Sequence, residues 1–221
     1  MNLNEAAQAI RPFGMTVRGA FHPGPGDAAA IGRGTLVLIG NAGAEMWRAF
    51  EAGRRKEPDP LDTWTARTLG PVAESLGATA LYPFGGPPHW PFQRWAIRAG
   101  GVDPSPIGPL IHAKYGLWHA YRAAFVFPDR FEIDAPAAAR SPCDGCTDRP
   151  CLGACPVSAF SAAGYDVPAC ARHIGSEAGG ECLSGGCLAR LACPVGVEFR
   201  YAPAQAEFHM RHFLAAVRRP S

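Results

Sequence analysis

The sequence has no cysteine before residue 143, no long apolar run and no strong excess of either charge. Its longest apolar run, residues 36–39, is far too short to cross a bilayer. The 21 Lys and Arg residues nearly balance the 19 Asp and Glu residues, whereas a nucleic-acid-binding protein normally shows a concentrated basic face. The N-terminus also lacks the basic and apolar segments of a secretory signal. These absences predict a cytoplasmic protein that binds neither a membrane nor a nucleic acid.

The eight cysteines are confined to residues 143–193, and this stretch holds the most informative chemistry of the sequence. They form two sets of four, each ending in Cys-Pro: Cys143, Cys146, Cys151 and Cys155, then Cys170, Cys182, Cys187 and Cys193. In a reducing compartment, clustered cysteines are metal ligands more often than disulfides. The double set resembles the pattern of ferredoxins that carry two [4Fe–4S] clusters.

In such two-cluster ferredoxins, the cysteine that precedes proline binds the other cluster. The resemblance therefore implies two crossed ligand sets, Cys143, Cys146, Cys151 and Cys193 for one cluster and Cys170, Cys182, Cys187 and Cys155 for the other. The spacing is irregular, since four residues instead of two separate Cys146 from Cys151. Two zinc sites remain an alternative, although only one C-x2-C pair is present, and a disulfide framework is a third reading.

Outside this stretch, the pattern of apolar residues predicts a mixture of helices and strands. Strands are expected at residues 35–39, 79–84 and 119–127. A helix is expected over residues 59–76, with a kink or a break at Pro71. A terminal helix is expected to begin at Pro203, because proline suits the first helical position. The 26 glycines and 22 prolines argue against a helical bundle.

Five short segments resemble, in the same order, segments of the CblC-type cobalamin-processing proteins: residues 11–14, 59–62, 69–76, 111–122 and 201–207. That family is similar in fold to flavin nitroreductases. The resemblance implies an α+β fold with a nitroreductase-like, CblC-like sheet-and-helix domain over residues 1–138. The expected organisation is completed by a dicluster ferredoxin-like module over residues 139–200 and a terminal helix, residues 201–221, that returns to the first domain.

The cysteine region, with its lone Cys170 ahead of a later group, also resembles the Fe–S part of epoxyqueuosine reductases. The resemblance implies electron transfer from two clusters to a cobalamin. Those enzymes are longer and act on tRNA. Because this chain is shorter and nearly neutral, tRNA is not the expected substrate here.

The CblC-type resemblance implies a corrinoid pocket, and six residues are candidates for its lining: His112, Tyr115, Trp118, Arg122, Trp90 and Trp95. The alternative for Trp90 and Trp95 is an aromatic segment that covers the core. The alternative for His112 is a histidine that stabilises a turn, and for Arg122 a charge at the surface or a strand edge. No catalytic residue is assigned.

These observations together predict an iron–sulfur oxidoreductase that binds cobalamin with its lower base displaced and reduces it or removes its upper ligand. The clusters are expected to relay single electrons to cobalt, drawn from a donor of the flavodoxin or ferredoxin-reductase type. The main alternative is a ferredoxin-type electron carrier for a partner reductase, without corrinoid binding. Reduction of another flat substrate, such as a flavin or tetrapyrrole, and corrinoid trafficking without turnover also remain open.

Overall fold

A computed structural model of the chain describes residues 2–27, 31–87, 89–134 and 140–219. The chain divides into two compact units, and each unit is built from two stretches of sequence. The first unit consists of Met1–Gly101 and His119–Ala139, and the second of Val102–Trp118 and Arg140–Ser221. Residues 102–118 therefore join the cysteine region, whereas the sequence predicted one continuous first domain. The predicted boundary between residues 138 and 139 lies outside the described residues.

A four-stranded antiparallel sheet forms the centre of the first unit. Its strands are β1 (Thr16–Phe21), β2 (Thr35–Ala42), β3 (Thr79–Leu81) and β6 (His119–Phe127), in the order β1–β2–β6–β3. The apolar run of β2 is fully buried between its neighbours, with Val37 opposite Phe125. Strand β6 has the bounds that the sequence predicts. The ladder is interrupted where Arg18 and Arg122 bulge out of register.

In the part of the first unit that the structure describes, the α-helices are α1 (Leu3–Ile10), α2 (Glu45–Gly53), α3 (Pro60–Ser75) and α4 (Phe92–Ala99). Helix α1 begins after Asn2, whose side chain accepts the Glu5 N–H at 3.0 Å and so caps the helix. Helix α3 is not split at Pro71. A proline removes only one hydrogen bond from the helix interior, and the buried face of α3, which includes Trp64 and Leu69, holds the remainder in place.

The second unit is assembled from short helices and strands and one long helix, α9. They are β4 (Val102–Pro104), β5 (Leu110–His112), α5 (Pro150–Gly153), β7 (Phe160–Ser161), β8 (Gly164–Tyr165), α6 (Val167–Ile174), α7 (Gly180–Gly185), α8 (Leu188–Leu191) and α9 (Pro203–Arg218). Strands β4 and β5 pair antiparallel, as do β7 and β8. Within the described part of the chain, no helix combines the length and apolarity that crossing a membrane requires.

The terminal helix α9 begins at Pro203, as the sequence predicts. It lies in the second unit, where it packs against α6 and α7, whereas we expected it to return to the first domain. The reason is its apolar face: Leu214 is buried together with Ile174 and Cys182, and Phe213 packs against the same cluster. The helix therefore belongs with the cysteine-bearing elements.

Candidate metal centre

Four of the eight cysteines meet at one small cavity in the second unit: Cys143, Cys146, Cys151 and Cys193. Two of them, Cys143 and Cys146, lie in the loop before α5, while Cys151 lies within α5. Cys193 arrives from the far end of the cysteine region, just after α8. Apart from the thiols and Arg149, the cavity is lined by apolar residues: Pro106, Ile111, Pro142, Pro150, Pro194 and Val195.

The other four cysteines line a second cavity: Cys155, Cys170, Cys182 and Cys187. Cys170 lies on α6 and Cys182 on α7, while Cys155 follows α5 and Cys187 immediately precedes α8. The remaining wall is again mostly apolar, with Pro156, Val157, Phe160, Ile174, Leu188, Ala189 and Met210 beside His173. The two cavities thus divide the cysteines four and four, and the role of these cysteines as cluster ligands stays a prediction.

Helices α5 and α8 connect the two cavities. They pack against each other, and the two cysteines on or next to each helix enter different cavities. Cys151 on α5 faces the first cavity and Cys155, just beyond it, the second. Cys187 before α8 lines the second cavity and Cys193 beyond it the first. Two short chain segments therefore tie both cysteine groups together.

Ionisation is costly for at least one cysteine in each cavity, Cys143 in the first and Cys187 in the second. Burial raises the pKa of Cys143, and the neighbouring Cys193 and Cys151 raise it further. In the second cavity, burial raises the pKa of Cys187, against backbone hydrogen bonds that lower it. Cys155 Sγ also accepts the N–H of Ala159 at 3.3 Å.

This donor set fits an iron–sulfur cluster. A [4Fe–4S] cluster takes one thiolate at each of four irons, and hydrogen bonds to sulfur are among the features that tune its potential. All eight cysteines are free thiols, which does not agree with a disulfide framework. In the described ranges, no group of three or more His, Cys, Asp or Glu side chains is arranged to hold a single metal ion.

The turn after β5 packs directly against the segment that follows Cys193. Gly116 has φ of 55°, and a Cβ added there would lie 1.9 Å from the carbonyl oxygen of Val195. Within the turn, His112 Nδ1 accepts the N–H of Lys114 at 3.0 Å and that of Tyr115 at 3.3 Å. His112 thus accepts two backbone N–H groups of the turn, and its contact with a corrinoid stays a prediction. The turn lies beside the first cavity.

Arg190 on α8 fixes the same turn from the other side. Its guanidinium donates to the carbonyl oxygen of Leu117 and lies 4.5 Å from the ring centroids of both Trp118 and Tyr201. A guanidinium over two aromatic rings combines a charged hydrogen bond with cation–π attraction. Trp118, which was predicted to face a corrinoid, therefore contacts α8 through the guanidinium of Arg190. The sequence alone gave no role to Arg190.

Replacing Arg190 with methionine should lower the free energy of unfolding by about 2–3 kcal/mol, because the Leu117 carbonyl loses a charged donor. Thermal unfolding of the full chain measures the change. Arg211→Met is the matched control: Arg211 pairs with Glu207 on the exposed face of α9, and such a pair contributes at most about 1 kcal/mol. Equal effects of the two substitutions would contradict the bridging role of Arg190.

The other three candidate corrinoid residues lie in the first unit. Trp90 and Trp95 stack with ring centroids 5.8 Å apart and line a cavity of about 360 Å³. Arg122 is at the bulge of β6, with its side chain 13% exposed and Nη1 3.9 Å from a carboxylate oxygen of Asp62. The six candidates are therefore divided three and three between the units, with His112, Tyr115 and Trp118 in the second.

One aromatic residue at the second cavity was not singled out from the sequence. The Tyr165 ring stacks between Phe160, at 4.7 Å, and Phe213, at 6.2 Å. Burial raises the pKa of Tyr165, and a hydrogen bond with Cys170 raises it further. The tyrosine hydroxyl is thus a polar contact to a candidate ligand sulfur. Its sequence context, a two-residue strand, gave no signal for it.

No protein-family model matches the chain, and neither does any curated protein sequence. Among solved structures, it is similar to the epoxyqueuosine reductase from Streptococcus thermophilus, with a TM-score of 0.56 and 15% sequence identity. That match covers 93% of this chain and 70% of the reductase. A second match, to a selenomethionine-labelled epoxyqueuosine reductase, covers 78% of this chain and 52% of the reductase chain, with a TM-score of 0.49 and 16% identity.

The first of these likenesses extends over nearly the whole chain and therefore concerns both units. At 15% identity it establishes a mixed α+β fold shared with an epoxyqueuosine reductase, and nothing about the substrate. The specific resemblance to CblC-type and nitroreductase-like proteins stays a prediction, as does the ferredoxin-like character of the cysteine region.

Proposed function

We propose that this chain is an iron–sulfur oxidoreductase that holds two [4Fe–4S] clusters and uses them to reduce a bound substrate. The observation that carries the proposal is the pair of cavities, each lined by four cysteines and walled mainly by apolar residues. When bound, such clusters take up and release one electron at a time. The similarity of fold to an epoxyqueuosine reductase supports the same class of chemistry.

The protein's contribution is to hold the two sites together and to keep water away from them. The cysteines on or next to α5 and α8 enter both cavities, so the same two helices support both sites. Apolar walls, such as Ile111 in the first cavity and Ile174 in the second, lower the local polarity. Burial and hydrogen bonding to sulfur are the features by which a protein adjusts a cluster potential.

For the substrate, we infer a corrinoid held beside the first cavity. Ile111 lines that cavity, and Gly116 of the following turn packs against Val195, which lines it as well. The turn carries His112 and Tyr115, whose rings lie 4.6 Å apart. An electron leaving the first site would have a short path to a flat substrate on this turn. The contribution of Trp90, Trp95 and Arg122 remains a prediction.

A second candidate substrate is epoxyqueuosine, which the fold similarity favours. The protein compared there is named for reducing it, and 70% of that protein is covered by the match. The two candidates require the same electron-transfer machinery and differ in the molecule that is reduced. A corrinoid bound stoichiometrically is compatible with either.

The metal content is tested first, on protein purified anaerobically. We expect about eight iron and eight sulfide per chain, with a reduced-state electron paramagnetic resonance signal from [4Fe–4S] clusters. Stoichiometric zinc with no sulfide would overturn the proposal. Iron at half this level would leave room for only one cluster.

The substrate is tested with the reduced protein. Micromolar cyanocobalamin should bind with the visible spectrum of a base-off corrinoid, and dithionite-reduced protein should remove the cyanide. Epoxyqueuosine is offered in a parallel reaction, with and without corrinoid. Absence of any binding or turnover, together with rapid oxidation by a partner reductase, would favour the electron carrier instead.

A further inference from the structure

The first unit has a cavity of about 360 Å³ on α4. Its wall combines Trp90, Trp95, Arg94 and Arg98 with Asp27 from the loop after β1. Small-molecule sites are typically concave, largely apolar and marked by a few polar groups in fixed positions. This volume is at the lower end of the range found for such sites, which suits a ligand much smaller than a corrinoid.

The aromatic wall of the cavity is held in place by packing. Trp95 is only 3% exposed and contacts Phe92 at 5.2 Å and Phe21 at 6.4 Å between ring centroids. Trp90 is half-buried and stacks on Trp95 at an interplanar angle of 29°. A fixed indole provides a surface on which a flat ring binds with little loss of side-chain freedom.

The two arginines of the cavity have different roles. Arg98 donates to Asp27 at 2.5 Å and to the carbonyl oxygen of His22 at 2.6 Å, and its guanidinium lies 4.3 Å from the Phe21 ring centroid. Although burial raises the pKa of Asp27, the Gly24 N–H and Arg98 outweigh that effect and hold it below its usual value. Asp27 is therefore an anion neutralised by Arg98.

Arg94 supplies the second guanidinium. It is exposed, lines the cavity and lies one helical turn before Arg98 on α4. Asp27 is paired with Arg98 and also feels the charge of Arg94. Two guanidiniums nevertheless face one carboxylate, so the three side chains together keep one net positive charge. A guanidinium recognises phosphate through paired N–H donors.

We propose that this cavity binds a mononucleotide, with its flat heteroaromatic ring against Trp90 and its phosphate at Arg94. This cavity lies in the first unit, whereas the cysteine cavities lie in the second, and the inference goes beyond the proposed reduction. The ligand needs both a ring and a phosphate. Stacking on Trp90 recognises a flat ring but not its charge, whereas Arg94 recognises an anion but not a ring. Adenine and flavin mononucleotides share this chemistry, and their relative affinities will identify the preferred ring.

The test is a calorimetric titration of the purified full chain with AMP, FMN, adenosine, riboflavin and inorganic phosphate. We expect AMP, FMN or both to bind at least tenfold more tightly than their phosphate-free counterparts and than phosphate alone. Arg94→Gln should weaken the nucleotide about tenfold and leave the nucleoside unchanged. Trp90→Leu should weaken nucleotide and nucleoside alike, by about tenfold or more.

Arg48→Gln is the control, because Arg48 is an exposed arginine of α2 that pairs with Glu45 away from the cavity. It should bind nucleotide like the unaltered protein. The proposal is overturned if nucleotides bind no better than phosphate, or if Arg94→Gln acts equally on AMP and adenosine. Competition of cyanocobalamin with AMP would also overturn it, since the cavity would then belong to the corrinoid. Iron content measured on each variant shows separately whether the cluster proposal holds.

Discussion

Cys193→Ala should abolish the first cluster and leave the second intact, although Cys193 closes the second set of cysteines in the sequence. The structural reason is that Cys193 lines the cavity of Cys143, Cys146 and Cys151. A cluster that loses one of four thiolates is not retained in an apolar cavity, so iron and sulfide should fall by about half, to roughly four of each per chain. Cys155→Ala should give the same loss from the other site.

Since the two clusters have similar spectra, double variants identify which one is lost. Cys143→Ala with Cys193→Ala should lose no more iron than either single variant, because both residues serve one site. Cys143→Ala with Cys155→Ala should lose nearly all of the iron, because these residues serve different sites. If instead Cys143→Ala with Cys193→Ala loses nearly all of the iron and Cys143→Ala with Cys155→Ala loses only half, each cluster is bound by four cysteines that are consecutive in the sequence. The crossed ligand sets would then be wrong.

Gly116→Ala should destabilise the second unit by about 2–5 kcal/mol and should also lower the iron content. Two effects add: a side chain is strained by about 1–2 kcal/mol at φ of 55°, and overpacking against backbone typically costs about 1–3 kcal/mol. The Cβ would meet the Val195 carbonyl oxygen at 1.9 Å, and that segment cannot move without shifting Pro194 and Cys193. Thermal unfolding and iron analysis on the same preparation measure both consequences.

Gly77→Ala separates backbone strain from the clash. Gly77 has φ of 67°, and an added Cβ there would have no neighbour within 4 Å. We expect a loss of about 1–2 kcal/mol with full iron content. If Gly116→Ala retains its iron and is no less stable than Gly77→Ala, the turn does not position Cys193.

Much of the first unit could be predicted because its signals are local. The apolar run of β2 and the β-branched and aromatic residues of β6 lie next to each other in the sheet, and each is recognisable alone. Strand β1 was not predicted, because Gly19 and the bulge at Arg18 interrupt its alternation. Local pattern likewise exaggerated the effect of Pro71, which does not break α3.

The second unit was predicted less well, because contacts between distant residues determine it. Helices α5 and α8 have four residues each, too few for a periodic pattern to be recognised. The attachment of residues 102–118 depends on contacts such as Arg190 to Leu117 and Gly116 to Val195. Neither partner is identifiable from its own neighbours in the sequence. The cysteines were found because their clustering and residue type are unusual, independently of the surrounding fold.

The division of the cysteines between the cavities also sets an order of assembly during synthesis. The second cavity has all of its cysteines once Cys187 has left the ribosome, whereas the first must wait for Cys193. The site whose first cysteine is made earliest is therefore the last to be closed. Until then, Cys143, Cys146 and Cys151 form an open three-thiol site, exposed to oxidation and to competing metals. The site that our proposal places next to the substrate is thus the one that is completed second.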